Sequence, residues 1–309
     1  MNIMVPISRY EDIVPFSNAG ADEFYFGIRD EKWNNKFGIF EEINRMSSFG
    51  SRANFDINNV NIIVSKVKEQ GKKVYMTLNS GVYSTKQIEY ITRNKNIFKN
   101  IDGIIVSDLG MIKELIKLNL PIILSTMAGL YNSSIIQFYY KLGIRRMIIP
   151  RDVQLRDIVH MVKKYPDIKF EVFLMRNGCK YSDSNCMSFH GRKYGSMCSC
   201  IDNEKSKIIM SEKIKNDTNI IKEIYSNNKL FTKAYHKEAC GLCALEVFNN
   251  IGINSLKVVG RADNPASIIN DIKQIKRIIN ELNKGEELKI SNYDNCLYNM
   301  NCYYNMQAL

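Results

Sequence analysis

Eight short apolar runs recur along this chain, and they constrain its fold more than any other feature. They are Asn2–Pro6, Glu23–Gly27, Lys73–Asn79, Gly103–Ser107, Pro121–Thr126, Arg145–Pro150, Lys169–Met175 and Ser255–Gly260. Most are rich in Ile, Val, Phe or Tyr, so they read as strands buried on both faces. Amphipathic segments separate them: Asn58–Gln70, Ser84–Arg93, Gly110–Leu118, Ser133–Leu142, Leu155–Lys164 and Ala244–Ile251. Strand alternating with helix calls for a parallel sheet. The count predicts an α/β fold, a closed (β/α)8 TIM-type barrel. A doubly wound open sheet is the rival, but no G-x-G-x-x-G turn follows the first strand.

Two stretches interrupt the rhythm. Arg29–Phe55 follows the second strand, and Arg176–Cys240 separates the seventh strand from its helix. Loops after the strands of a barrel open on its C-terminal face, where active sites sit, and long loops in compact domains are commonly functional. Residues 1–285 are expected to form one barrel, and residues 286–309 a tail containing Cys and Tyr.

Sulfur is concentrated in the second interruption. The chain has 8 cysteines, none before Cys179. Cys179, Cys186, Cys198 and Cys200 lie in the loop, followed by Cys240, Cys243, Cys296 and Cys302. Cys179 comes directly after the seventh strand, and Cys240 is expected at the start of the helix leading to the eighth. The barrel therefore brings Cys179, Cys186, Cys198 (or Cys200) and Cys240 to one mouth. A helix N-terminus at Cys240 would favour its thiolate. Four thiolates suit an iron–sulfur cluster or zinc. The Cys179-x6-Cys186 gap is wide for a zinc knuckle, whereas Cys240-x2-Cys243 fits one. Cys243, close to Leu245 and Val247, also reads as a core residue.

The N-terminus has no basic region followed by an apolar core, and no run of about 18 apolar residues occurs. The chain is expected to be cytoplasmic, with no membrane association. Thiols stay reduced there, which favours metal binding or catalysis over disulfides. The net charge of +11 suits an anionic partner such as RNA or an acidic metabolite. A Lys-, Asn- and Ile-rich composition with lysines spread along the chain is the plainer reading. Polar residues end many strands: Arg261 after the eighth, Arg151 and Asp152 after the sixth, Asp108 after the fourth, Asn79 at the third and Arg52 after the second. Arg261, Arg151, Arg52, Asn79 and Asp108 are candidate substrate-binding groups, with salt bridges closing the rim as the alternative. His190 in the cysteine loop, Asp152 and Glu171 are the candidate proton-transfer groups. No G-x-S-x-G, H-E-x-x-H or P-loop motif is present.

Several blocks resemble a known family. AGADEFYFG at Ala19–Gly27, SRANF at Ser51–Phe55, KVYMTLN at Lys73–Asn79, DGIIVSDLG at Asp102–Gly110 and IPRDV at Ile149–Val153 occur in order. EVF at Glu171–Phe173, the C-x6-C pair and SLKVVGR at Ser255–Arg261 complete the set. The chain is identified as a divergent member of the peptidase U32, or collagenase-like protease, family. The resemblance implies a barrel with a [4Fe–4S] cluster on Cys179, Cys186, Cys198 (or Cys200) and Cys240. Family members include hydroxylation proteins for transfer and ribosomal RNA and a ubiquinone-pathway pair that hydroxylates without oxygen. It implies an O2-independent hydroxylase using an anionic oxygen donor, with a metal-dependent peptidase or a non-catalytic partner subunit as rivals. A hetero-oligomer with a related protein is also implied. The chain departs from the pattern in four places. Met175 and Arg176 replace a His-Gly pair, Met127 replaces Gln in S-T-Q, Cys198-x-Cys200 replaces C-x3-C after a short gap, and Val259 replaces the Glu of KIEGR.

Overall fold

All eight apolar runs form strands. In the computed structural model, residues 1–38, 41–45, 53–179, 182–184, 186, 239–286 and 302–304 are described. The strands are β1 (Asn2–Pro6), β2 (Glu23–Arg29), β3 (Phe55–Asp56), β4 (Lys73–Leu78), β5 (Gly103–Val106), β6 (Ile122–Leu124), β7 (Arg146–Ile148), β8 (Lys169–Met175) and β9 (Ser255–Val258). The helices are α1 (Ile13–Ala19), α2 (Glu31–Phe37), α3 (Val60–Glu69), α4 (Thr85–Arg93), α5 (Leu109–Lys117), α6 (Ser133–Lys141), α7 (Leu155–Lys164), α8 (Leu245–Ile251) and α9 (Pro265–Asn283). Two elements, α2 and β3, lie in the interruption after the second strand. The short β3 pairs only with the end of β2, outside the barrel.

Every pairing between named strands is parallel, and β1 closes the sheet by pairing with both β2 and β9. Without β3 this is a closed eight-stranded barrel ringed by helices. The register sets Met4 opposite Glu23 on one side and Lys257 on the other. Strands covered on both faces need apolar side chains in both directions. One direction supplies the layer between sheet and helices, including Phe24, Phe26, Val74, Phe170 and Leu256. The other supplies a plug inside the barrel, made of Met4, Tyr25, Tyr75, Ile105, Ile123, Ile148 and Phe173.

Below that plug the lumen is ionic. Arg146 reaches Glu23 and Glu171 (3.1 Å to the latter), and Lys257 Nζ donates to Glu171 Oε1 at 2.8 Å. Tyr75 and Ser255 donate their hydroxyl protons to Glu23 at 3.2 and 2.9 Å. Both carboxylates are buried, so the network stands only because each charge meets an opposite one. Lysine pKa values fall on burial, and that of Lys257 does, with Glu171 opposing the shift.

Candidate active site at the barrel mouth

The rim is assembled from the C-terminal ends of the strands. β8 ends in a turn whose residues Arg176 and Asn177 both have left-handed backbone, with φ of 67° and 45°. Such a conformation costs about 1 kcal/mol or more for a residue with a side chain, and Arg176 stands where the family pattern has glycine. Several contacts hold the turn. The Arg176 side chain pairs with Asp271, and Asn177 Nδ2 donates to Asp263 Oδ2 at 3.0 Å. Arg151 donates to the Asn177 carbonyl, and Tyr303 donates its hydroxyl proton to that of Arg176. Cys179 emerges from this turn.

Cys240 faces the same rim but does not begin a helix. It sits in a bridge, antiparallel to Met175 and parallel to Cys302. The flanking bonds are Arg176 N–H to Ala239 O and Gly241 N–H to Leu174 O, both 2.7 Å. A 3-10 turn, Leu242–Ala244, follows before α8 begins at Leu245. The Leu242 N–H donates to Cys240 Sγ at 3.5 Å, so a local N–H, not a helix N-terminus, faces this sulfur. Cys243 lies in the 3-10 turn, half-buried. Its interaction with Cys302, with burial, pushes the Cys243 thiol up, and the same interaction pulls the Cys302 thiol down.

Cys186 approaches from a third side, where Arg45 Nη2 donates to its sulfur at 3.4 Å. Arg45 Nη1 lies 2.8 Å from the sulfur of Met127, the residue that replaces the family Gln. Among the described residues, no three His, Cys, Asp or Glu side chains are grouped to hold a metal ion. Cys198, Cys200, His190 and Arg52 lie outside the described residues.

Beside the cysteines is a basic recess. Arg261 Nη1 donates to Asn44 Oδ1 and Asn54 Oδ1 at 3.1 and 2.6 Å, and Nη2 to the Arg45 carbonyl at 2.7 Å. These partners are neutral, and among the described residues no carboxylate lies within ion-pair distance of Arg261. Burial lowers its pKa and Arg45 adds like-charge repulsion, while Tyr25 and Glu42 oppose the shift. A guanidinium solvated only by amides and a carbonyl keeps its charge for an anion. The recess exists because β2 carries Gly27. A Cβ there would sit 1.9 Å from Asn54 Oδ1 and 2.2 Å from Arg261 Nη1.

The other expected groups are placed differently. Arg151 pairs with Asp183 at 3.0 Å and lies 4.3 Å from the centre of the Phe173 ring. Burial would lower its pKa, but Asp183, Tyr303 and Cys179 more than offset this. Asp108 is at the rim, yet its carboxylate caps α5 through the Met111 N–H at 2.8 Å. Asn79 accepts the Arg45 N–H at 3.2 Å and so helps to shape the recess. Glu171 is in the lumen below the plug, with its two oxygens on Lys257 and Arg146. Those contacts fix it as a charge partner within the barrel. Asp152 is at the rim, solvent-facing, and accepts the Tyr131 hydroxyl at 3.3 Å. Desolvation, aided by Asp183, raises its pKa against hydrogen bonds from Tyr131 and Ser182. Asn44, Arg45 and Tyr303 were not singled out from sequence. The long interruption and the Tyr-rich tail that hold them were the signals present.

Comparison with known proteins agrees with the fold. The family model described as peptidase family U32 matches residues 8–305. "tRNA hydroxylation protein P" of Helicobacter pylori strain J99 is 22% identical over 280 residues, covering 84% of this chain and 60% of that protein. The protein of the same name in Escherichia coli K12 is 27% identical over 142 residues, covering 45% of this chain and 30% of that one. A "Collagenase" of Porphyromonas gingivalis strain W83 is 24% identical and covers 61% and 45%. The chain thus spans about 60% or less of the length of these relatives. Among solved structures, the U32 peptidase Mk0906 superposes with a TM-score of 0.51 at 11% identity, covering 86% of this chain and 95% of that one. With a family model matched over nearly the whole barrel and a family structure sharing its architecture, the chain belongs to peptidase family U32.

Proposed function

We propose that this chain is an iron–sulfur-dependent hydroxylase that works without O2. The observation that carries the reading is that Cys240 is bridged to the end of β8, just ahead of Cys179, while Arg45 bonds both to Cys186 and to Arg261 of the basic recess. Relatives named as tRNA hydroxylation proteins support the reaction class. The residues suit a [4Fe–4S] cluster. Cys179, Cys186 and Cys240 would hold it with Cys198 or Cys200, and the N–H groups of Arg45 and Leu242 on two of the sulfurs are of the kind that tunes such a group. When bound, the cluster would supply the redox and Lewis-acid chemistry that releases a hydroxyl from the donor.

The chain's own residues do the rest. Arg261, backed by Arg45, binds the anionic end of a small oxygen donor. Arg151 and Tyr303 shape the turn that carries Cys179. Asp152, with Tyr131 beside it, is the proton-transfer group at the rim. The overall reaction balances as R–H plus X–OH giving R–OH plus X–H, so the donor needs no outside reductant. The net charge of +11 and the named function of the relatives favour RNA as the acceptor. Binding to tRNA should then weaken steeply with salt, as phosphate contacts release counterions.

Anaerobically purified protein should be brown and contain about four iron and four sulfide per chain, the content of one cubane. Cys240→Ser should lose the colour. Colourless protein carrying only zinc would overturn the reading. The collagenase relative favours a peptidase as the second reading. Peptide cleavage that survives iron chelation and stops in His190→Ala would establish it instead.

A further inference from the structure

Residues 302–304 lie in the mouth. Cys302 bridges Cys240, and the Tyr303 N–H donates to the Cys240 carbonyl at 2.8 Å. The two tyrosine side chains that follow point to opposite sides. Tyr303 packs over the plug inside the barrel, with its ring 6.2 Å from that of Phe173. Tyr304 turns the other way, into the core between sheet and helices. There it is buried, lies 5.0 Å from Phe248 edge-on, and donates its hydroxyl proton to the Phe173 carbonyl at 2.7 Å. Gly241 makes room for it, since a Cβ there would meet the Tyr304 ring at 2.9 Å. The docking is built on both sides.

Tyr303 alone among these residues bonds to both cysteine-bearing segments. Its main chain holds Cys240, and its hydroxyl holds the Arg176 carbonyl in the left-handed turn ahead of Cys179. Asn tolerates the left-handed region but Arg does not favour it, so contacts from elsewhere must hold Arg176 there. Arg151, Asp263 and Asp271 supply some. Tyr303 supplies one that also reaches Cys240, beyond the backbone bonds by which Arg176 and Leu174 already pair with Ala239 and Gly241. We propose that Tyr303 is a positioning residue for the thiolate site, with the tail acting as a tie between Cys179 and Cys240. The proposal rests on the cluster reading for its consequence, but the positioning itself is a property of the metal-free chain.

The test compares Tyr303→Phe with Tyr304→Phe. Each deletes one hydroxyl bonded to a backbone carbonyl on adjacent tail residues, and each keeps its ring. Only the first releases the turn. In metal-free protein, Cys179 of Tyr303→Phe should be alkylated by iodoacetamide about tenfold faster than in wild type, the size of one lost hydrogen bond. Tyr304→Phe should match wild type. After anaerobic reconstitution with ferrous iron and sulfide, Tyr303→Phe should lose its cluster to a chelator about tenfold faster and give a shifted electron paramagnetic resonance spectrum, again by one hydrogen bond's worth. Equal alkylation rates in all three proteins would overturn the positioning role. So would parallel changes in both variants that follow their unfolding midpoints. Wild type that takes up no iron and sulfide would overturn the cluster reading alone, because the alkylation rates still decide the role of Tyr303.

Discussion

Gly27 shows how much of this site depends on the absence of a single carbon. The guanidinium of Arg261 and the amides of Asn44 and Asn54 meet directly over its backbone. Gly27→Ala should expel that group and destabilise the fold by at least the about 1–3 kcal/mol typical of overpacking, measured by urea unfolding. It should also abolish binding of small carboxylates by calorimetry. Arg261→Lys should fold normally yet bind such anions at least tenfold more weakly, because an ammonium cannot span the acceptors on Asn44, Asn54 and Arg45 as the planar fork does. Arg261 was legible in the sequence from its place after the last strand. Asn44 and Arg45 were not, because they meet it across 217 and 216 residues of chain, and no local pattern encodes such a meeting.

At the scale of elements, the eight barrel strands were readable to within a residue or two, since a strand covered on both faces is a continuous apolar run with polar ends. The paired left-handed residues after β8 were not readable, because Arg176 does not favour that backbone and Asn177, which tolerates it, is no sufficient signal alone. Nor was the position of Cys240, which tertiary pairing with Met175 and Cys302 decides in place of a helix start. Within the tail containing Cys and Tyr, residues 302–304 pack into the barrel. Tyr304→Ala should therefore cost about 3–5 kcal/mol, as for other buried aromatic truncations, a loss that thermal unfolding will show. A tail lying passively on the surface would lose less than about 0.5 kcal/mol.

Over the whole molecule, charge is arranged in two tiers. In the lower lumen Glu23 and Glu171 are balanced by Arg146 and Lys257. Burial pushes the Glu23 carboxyl up, but the Arg146 pair and the Ser255 and Asn2 bonds prevail and hold it below the ordinary carboxylate range. Its contribution is thus present above the unfolded value of about 4.3 and is lost as pH falls through the lower folded value. Arg146→Met should cost about 3–5 kcal/mol at neutral pH by stranding the buried Glu23 carboxylate and leaving Glu171 to Lys257 alone. It should also flatten or reverse the acid limb of the stability curve followed by circular dichroism. The upper tier is different, since Arg261 and Arg45 face amides and sulfur. Two described segments divide along the same axis. β1 starts at the lower rim, whereas residues 302–304 lie in the mouth. A fluorophore attached beside Asn2 would report from the face opposite the cysteines. One attached beside Tyr303 would compete with any macromolecule for the entrance. Labels at the two places would therefore give different binding results with the same folded barrel.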